Sequence, residues 1–319
     1  MKRLLPFVIS FALLALIYWR IDFRGMLGQF AAMNPWWLAA AFAILAPALL
    51  FTAWRLARMA PEEASLSLAE STRLTLAASV LNMFLPSKAG DLAKAWFFRQ
   101  RGHLPGSLAL SLVVFEKSCD MLALLAWCVF GLAVLDDRSL LHLVLTLCVA
   151  GGITLGLLML GSLRFARFFF GVAARFAPGG LKPKLETLHE SWGRMHAHFW
   201  ADRRRLALLA ALSLGTWCAH LVGVWMFIRS LGAGVPLLDS LALTPLAILA
   251  GLLPLTFAGI GARDAAIIFF YRAYLTAPEA AAVGIYLTAR YAIFALAGLP
   301  FLGMMSQRGA ADSPAERDC

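Results

Sequence analysis

A chain of 319 residues that is 61% hydrophobic and only 14% charged, with a mean hydropathy of +0.77, departs far from soluble domains, which are about half apolar and a quarter charged. That excludes a soluble globular enzyme and identifies a polytopic membrane protein. The net charge of +10 would hint at nucleic acid in a soluble chain, but here the basic residues mostly flank apolar runs, so nucleic acid is set aside in favour of anionic headgroups on the cytoplasmic leaflet.

The first apolar run, residues 4–19 behind Lys2 and Arg3, is short and resembles a signal peptide. No small-residue cleavage site follows it, and Arg20, Asp22 and Arg24 come next, so it reads as a retained first span. Further runs of about the 20 residues needed to cross a bilayer lie at 36–54, 108–135, 140–163, 206–231 and 279–303. Two more apolar stretches, 66–98 and 237–275, are interrupted by "LPSKAGD" (85–91) and "LPLTFAGIGARD" (253–264), and each is either two spans or one re-entrant hairpin.

Lys and Arg concentrate at the cytoplasmic ends of spans. Arg55 and Arg58 precede the first broken stretch and Arg99 and Arg101 follow it, so both its ends are expected on the cytoplasmic side and the stretch reads as a hairpin that dips in and returns. The second is flanked by "LGAGVPLLD" and "LTAPEA", which carry no Lys or Arg, and is expected to dip in from the outer face. Of the 28 Lys and Arg residues, this topology puts only Arg20, Arg24, Arg138, Arg229 and Arg272 outside and Lys88, Lys94, Lys117, Arg263 and Arg290 within the apolar segments.

The expected fold is therefore an all-α polytopic membrane protein: about six full spans plus two re-entrant helical hairpins in an inverted repeat, both termini cytoplasmic. The whole chain, 1–319, forms a single integral membrane domain. Its first half (1–163) holds the hairpin 66–98, a cytoplasmic basic loop follows (164–205), the second half (206–305) holds the hairpin 237–275, and a short polar tail closes it (306–319). In the basic loop, "RFARFFFGVAARF" alternates basic and aromatic residues as an interfacial helix would, or is a charged loop between spans. Trp19, Trp36, Trp37, Trp54, Trp192 and Trp200 sit near the expected boundaries and read as anchors. Each broken stretch contains Leu-Pro, then Gly, then Asp. Antiparallel repeats with discontinuous helices are a mark of secondary transporters, where the breaks offer free backbone groups to substrate.

Charge at bilayer depth costs about 3 kcal/mol per residue on insertion scales, yet here it clusters. In "VVFEKSCDMLALL", Glu116 and Asp120 share a helix face and Lys117 can meet Asp120 three residues on. Lys88, Asp91 and Lys94 lie at and just after the first break, Arg263 and Asp264 just after the second, and Arg290 stands within the last span. The expected arrangement pairs Glu116 or Asp120 with Arg263 or Arg290, leaving Lys88 and one Arg for an anionic phosphate. Pro86, Gly90, Pro254, Gly259 and Gly261 would line the site as backbone breaks. The competing reading is a set of closed ion pairs that only fix helix packing.

No Gly-rich nucleotide loop or His-Glu metal pattern occurs, and no soluble segment exceeds about 40 residues, the scale below which a domain rarely folds unaided. No cofactor, metal or catalytic residue is expected. His189, His196 and His198 lack a recognised ligand spacing, and Cys119, Cys128, Cys148, Cys218 and Cys319 are scattered, without the spacing of a disulfide framework or a zinc site. A membrane-embedded transferase, with Glu116 or Asp120 as base beside Lys88, stays open as an alternative, as does a non-catalytic accessory or scaffold subunit.

Three segments in order, "FLPSKAGDLAKAWFFRQRG" (84–102), "FEKSCDMLAL" (115–124) and "PLTFAGIGARDAAI" (254–267), resemble the lysylphosphatidylglycerol synthase transmembrane-region family, also described as the flippase-like domain family. The resemblance runs over most of the chain. Lys117 stands where Arg is usual and Asp264 where Glu is usual, and lysine lacks the bidentate fork. The resemblance implies movement of a phospholipid, aminoacyl-phospholipid or polyprenyl-linked lipid with an anionic headgroup between leaflets of a bacterial plasma (inner) membrane, in partnership with lipid-biosynthesis enzymes. With only a short polar tail before Cys319, the chain looks like the transport half without the synthase half.

Overall fold

The structure, a computed structural model, describes residues 28–61, 64, 66–84, 90–101, 104–135, 139–176, 182–252 and 261–303. Among them every regular element is helical. The expected first span, the tail, and the interiors of both breaks, including Pro86, Lys88, Pro254 and Gly259, lie outside the described residues.

Helices α1 (Pro35–Ala43) and α2 (Leu45–Met59) form one apolar rod. Asn34 starts it, its side chain accepting from the backbone N–H groups of Trp36 (3.0 Å) and Trp37 (3.3 Å). The interruption at Ile44 has a covalent cause: Pro47 has no N–H for the carbonyl of Ala43, and its ring crowds that carbonyl. Helix α3 (Leu68–Phe84) opens with a reciprocal cap, Ser67 Oγ accepting from Glu70 N–H at 3.2 Å while the Glu70 carboxylate accepts from Ser67 N–H at 3.1 Å. It ends at Phe84, before the Leu-Pro of the sequence, and α4 (Leu92–Arg101) resumes after Asp91. Helix α5 (Gly106–Val134) runs 29 residues, roughly 43 Å at 1.5 Å per residue.

Helix α6 (Leu140–Gly161) is capped by Ser139, and α7 (Leu163–Phe176) and α8 (Lys182–Trp200) occupy the basic segment. Helix α9 (Arg203–Ser230) is capped by Asp202, whose carboxylate accepts from Arg204 N–H at 2.9 Å. Helices α10 (Leu237–Gly251) and α11 (Ala262–Phe270) flank the second break, and α12 (Ala277–Gly298) continues into a 3₁₀ turn at Leu299–Phe301. By length and composition four rods can cross a membrane: Pro35–Met59, Leu140–Gly161, Arg203–Ser230 and Ala277–Phe301. Helix α5 matches them in length but carries Glu116, Lys117 and Asp120 within little more than a turn. Helix α6 buries only Val149 while Leu140 is 76% and Leu147 64% exposed, a distribution that suits lipid rather than water around it.

The helix contacts are exchanged between the halves. Helix α2 packs on α9; α3 packs on α12 just as α10 packs on α5; α4 packs on α5 just as α11 packs on α12; and α2 meets α3 just as α9 meets α10. Small residues let these backbones close up. A Cβ at Gly131 of α5 would stand 2.2 Å from the Ala242 carbonyl oxygen of α10, and one at Gly298 of α12 would stand 2.1 Å from the Leu76 carbonyl oxygen of α3. One apolar cluster joins Leu56, Leu74, Phe98, Leu112, Phe115 and Trp192; another joins Val224, Phe227, Tyr271, Val283, Tyr286 and Leu287. Trp192, expected at the boundary, is instead 1% exposed, packed against Phe115 and Phe170: α8 presents it to the core rather than to the headgroups.

Candidate substrate cavity

Seven helices, from both halves of the chain, line one cavity of about 330 Å³. Its walls carry Thr52 and Leu49 from α2, Asn82 and Met83 from α3, Asp91 and Lys94 at the start of α4, and Lys117 and Asp120 from α5. Trp217 and His220 come from α9, Arg263 from α11, and Thr288, Arg290 and Phe294 from α12. The charges that the sequence scattered over some 200 positions therefore meet around one volume.

On the first-half side they close a ring of alternating sign. Lys94 Nζ donates to both carboxylate oxygens of Glu116, at 2.9 and 3.1 Å, and lies 3.2 Å from Asp91. Asp91 meets Lys117 at 2.8 Å, and Lys117 donates to Asp120 at 3.3 Å. Asp120 pairs with Arg55, and Arg55 returns to Glu116 at 3.8 Å. Arg55 and Glu116 are fully buried, and Lys94 is 2% exposed. Charges so placed are tolerable only because each faces an opposite charge, and the geometry supplies two partners to every member.

The local backbone fixes this ring. Asn82, near the end of α3, accepts from Asp91 N–H at 3.2 Å across the first break, and at Gly90 a Cβ would fall 2.4 Å from Asn82 N, so no side chain fits. Ser213 of α9 accepts from Arg55 Nη1 at 2.9 Å. Trp217 Nε1 donates to the Asp120 carbonyl at 3.0 Å. On the second-half side, Gly261 sits at φ +97°, a conformation open to glycine, and Asp264 accepts from Gly261 N–H at 3.0 Å to cap α11. The other oxygen of Asp264 accepts from Arg263, whose Nη2 also donates to the Gly284 carbonyl at 3.1 Å and Thr288 Oγ1 at 2.9 Å.

Arg290 differs from all of these. It is 3% exposed and lines the cavity. Its Nη1 has no hydrogen-bond partner among the described residues, and no carboxylate pairs with it there. Its guanidinium stands 5.4 Å from the Tyr291 ring centroid.

Two expectations are corrected here. Glu116 and Asp120 do not pair with Arg263 or Arg290; nearer cations on α2, α4 and α5 take them, and Arg263 is held by its own neighbour Asp264. Arg55, expected at the cytoplasmic flank, is a fully buried member of the ring. Its signal was in the sequence: Leu45, Ala48, Thr52, Arg55 and Met59 follow a 3–4 residue spacing that puts Arg55 on the inward face. Asn82, Ser213, His220 and Thr288 were likewise unforeseen.

His189, His196 and His198 are half-buried on α8, His189 and His198 meeting Phe170 and Phe199 edge-on and His196 lying tilted against Trp200. Among the described residues no group of His, Cys, Asp and Glu has the arrangement of a metal site, and Cys119, Cys128, Cys148 and Cys218 are free thiols.

Described residues that are helical wherever they are regular, with apolar rods of crossing length and a charged cavity enclosed between them, make an integral membrane protein with ionisable groups among its spans. It belongs to the family described as the lysylphosphatidylglycerol synthase TM region, whose pattern matches residues 3–300. No curated protein matches the chain. Family membership relates the chain to the membrane region of enzymes that act on a membrane lipid.

Proposed function

We propose that the protein is a lipid flippase or transporter that moves a phosphate-bearing lipid between leaflets without covalent chemistry, the headgroup crossing through the cavity while the tails stay in the bilayer. The supporting observation is the cavity itself: it combines charged walls drawn from both halves of the chain with a buried Arg290 that faces no carboxylate among the described residues. Apolar Leu49, Met83 and Phe294 on the same wall suit the start of an acyl or prenyl chain. The exchanged helix contacts favour an inverted repeat in which the segments at 66–98 and 237–275 enter from opposite faces as re-entrant hairpins. Both termini then lie in the cytoplasm of a bacterium and the protein in its inner membrane, beside the lipid-biosynthesis enzymes that make its substrate.

The test is leaflet exchange of labelled phosphatidylglycerol, its lysyl ester and a polyprenyl phosphate in liposomes holding the purified protein. Exchange of one class that falls by about tenfold or more in Arg290→Ala and Lys88→Ala is expected. Undiminished exchange in both variants would sink this site, and absence of any exchange would return the charges to a purely structural role.

A further inference from the structure

We infer that the cavity selects its headgroup by net charge, taking a lipid phosphodiester with net negative charge and rejecting a cationic aminoacylated lipid; the inference rests on the transport reading above for the event it selects.

The ring sets three cations, Arg55, Lys94 and Lys117, against three carboxylates, Asp91, Glu116 and Asp120, and is neutral as a unit. Arg263 and Asp264 cancel each other. Arg290 alone of the described cavity charges lacks a counter-charge, so these side chains sum to one positive charge.

A buried uncompensated charge is costly in low dielectric, and the tilt toward Tyr291 offsets only part of that cost. One phosphodiester placed against Arg290 makes the described cavity neutral, and the guanidinium edge with its orphaned Nη1 is a geometry that phosphate oxygens match. Arg263 is poorly placed for that role, its Nη2 already shared among Asp264, Gly284 and Thr288. A lysyl ester of the same lipid brings two ammonium groups with its phosphate, leaving the complex more positive than the empty cavity.

The experiment compares leaflet exchange of phosphatidylglycerol, phosphatidylethanolamine and lysyl-phosphatidylglycerol with identical labelled tails, in liposomes holding the full chain. Phosphatidylglycerol is expected to exchange at least about tenfold faster than the lysyl ester. Arg290→Gln abolishes that ratio, Arg290→Lys largely retains it, and Arg290→Glu inverts it; since no carboxylate pairs with Arg290 among the described residues, Arg290→Gln should melt no lower than wild type, which separates lost selection from lost folding. A lysyl ester that moves as fast as phosphatidylglycerol in the wild type, or a ratio indifferent to Arg290→Glu, overturns the inference. Should the wild type exchange no lipid, the transport reading fails, and charge selection is then decided by co-purified lipid: phosphatidylglycerol retained over the lysyl ester in an Arg290-dependent manner upholds it, and equal retention overturns it. Millimolar inorganic phosphate supplies the remaining arm. If labelled phosphate enters the liposomes through the wild type but not through Arg290→Gln while no lipid exchanges, free phosphate is the substrate and the lipid class is overturned; if lipid exchanges and phosphate does not enter, the class stands.

Discussion

Lys94 lies at 2.9 Å from Glu116 with both side chains out of contact with solvent, and that single contact shows how the ring differs from a set of surface ion pairs. Removing one partner of a buried pair strands the other, at a cost of about 3–5 kcal/mol, whereas replacing both by apolar groups of similar size is often neutral. Lys94→Met should therefore lower thermal stability in detergent markedly, and Lys94→Met with Glu116→Leu should recover most of the loss. The ring leaves Arg55 and Asp91 in place, so recovery will be incomplete. A double mutant no better than the single would mean that the contact is not a closed pair.

Arg55 permits a second prediction of the same kind with a different readout. Because Arg55 bridges α2 to Asp120 and Glu116 on α5 and donates to Ser213 on α9, Arg55→Ala is expected to reduce the yield of folded protein in the membrane. Ser213→Ala removes one hydrogen bond, worth about 1 kcal/mol, and should leave folding intact. Equal yields for Arg55→Ala and wild type, measured by detergent size-exclusion chromatography, would contradict the burial on which the ring depends.

The residues of the cavity were largely legible in the sequence because charge inside an apolar run is expensive and hence conspicuous. Asp91, Lys94, Glu116, Lys117, Asp120, Arg263 and Arg290 all stood out on that ground alone. Their partners were not legible, since which charge faces which depends on how helices pack. Arg55 was misplaced for a related reason: four residues from the end of α2 it reads equally well as a flanking cation, and only the inward spacing of Ala48 and Met59 told otherwise. Trp192 failed in the same way, an amphipathic ring near a boundary that packing draws into the core.

At the scale of elements, backbone chemistry made the breaks legible. Helix α3 ends at Phe84 and α4 resumes at Leu92, bracketing the Leu-Pro to Gly-Asp interruption, because proline and glycine interrupt a helix wherever they fall. The second break is shorter than expected at its far end: α11 begins at Ala262, so Arg263 and Asp264 are helical, with Asp264 capping the helix it belongs to. What the sequence did not reveal is how closely the helices approach. Gly131 and Gly151 are both helical glycines, yet a Cβ at Gly131 would collide with the α10 backbone while one at Gly151 meets nothing within 4 Å. Gly131→Ala should therefore force α5 away from α10 and destabilise by about 1–3 kcal/mol, whereas Gly151→Ala should be neutral or stabilising by up to about 1 kcal/mol from helix propensity. Melting of the two variants side by side decides it, and a stable Gly131→Ala would mean that the two helices stand further apart than the contact implies.

For the whole molecule, the exchanged packing of α3 on α12 and α10 on α5 carries the argument from contacts to topology. A two-fold relation between halves swaps equivalent elements, so the helix before the first break must lie against the last span if the helix before the second break lies against α5; the packing of α2 on α9, α3 on α12 and α10 on α5 obeys that relation. When such an axis lies in the membrane plane the two halves are inverted, and their broken stretches open to opposite sides. The consequence can be read with single cysteines in a chain whose native cysteines are replaced. Ser67 and Arg99 flank the first break, and Gly234 and Thr276 flank the second; all four are exposed or partly exposed. If both stretches are re-entrant, Ser67→Cys and Arg99→Cys react with an impermeant maleimide from the cytoplasmic side only, and Gly234→Cys and Thr276→Cys from the outer side only. Opposite sidedness within either pair would make that stretch a single broken crossing, and the inverted relation of the two halves would fail with it.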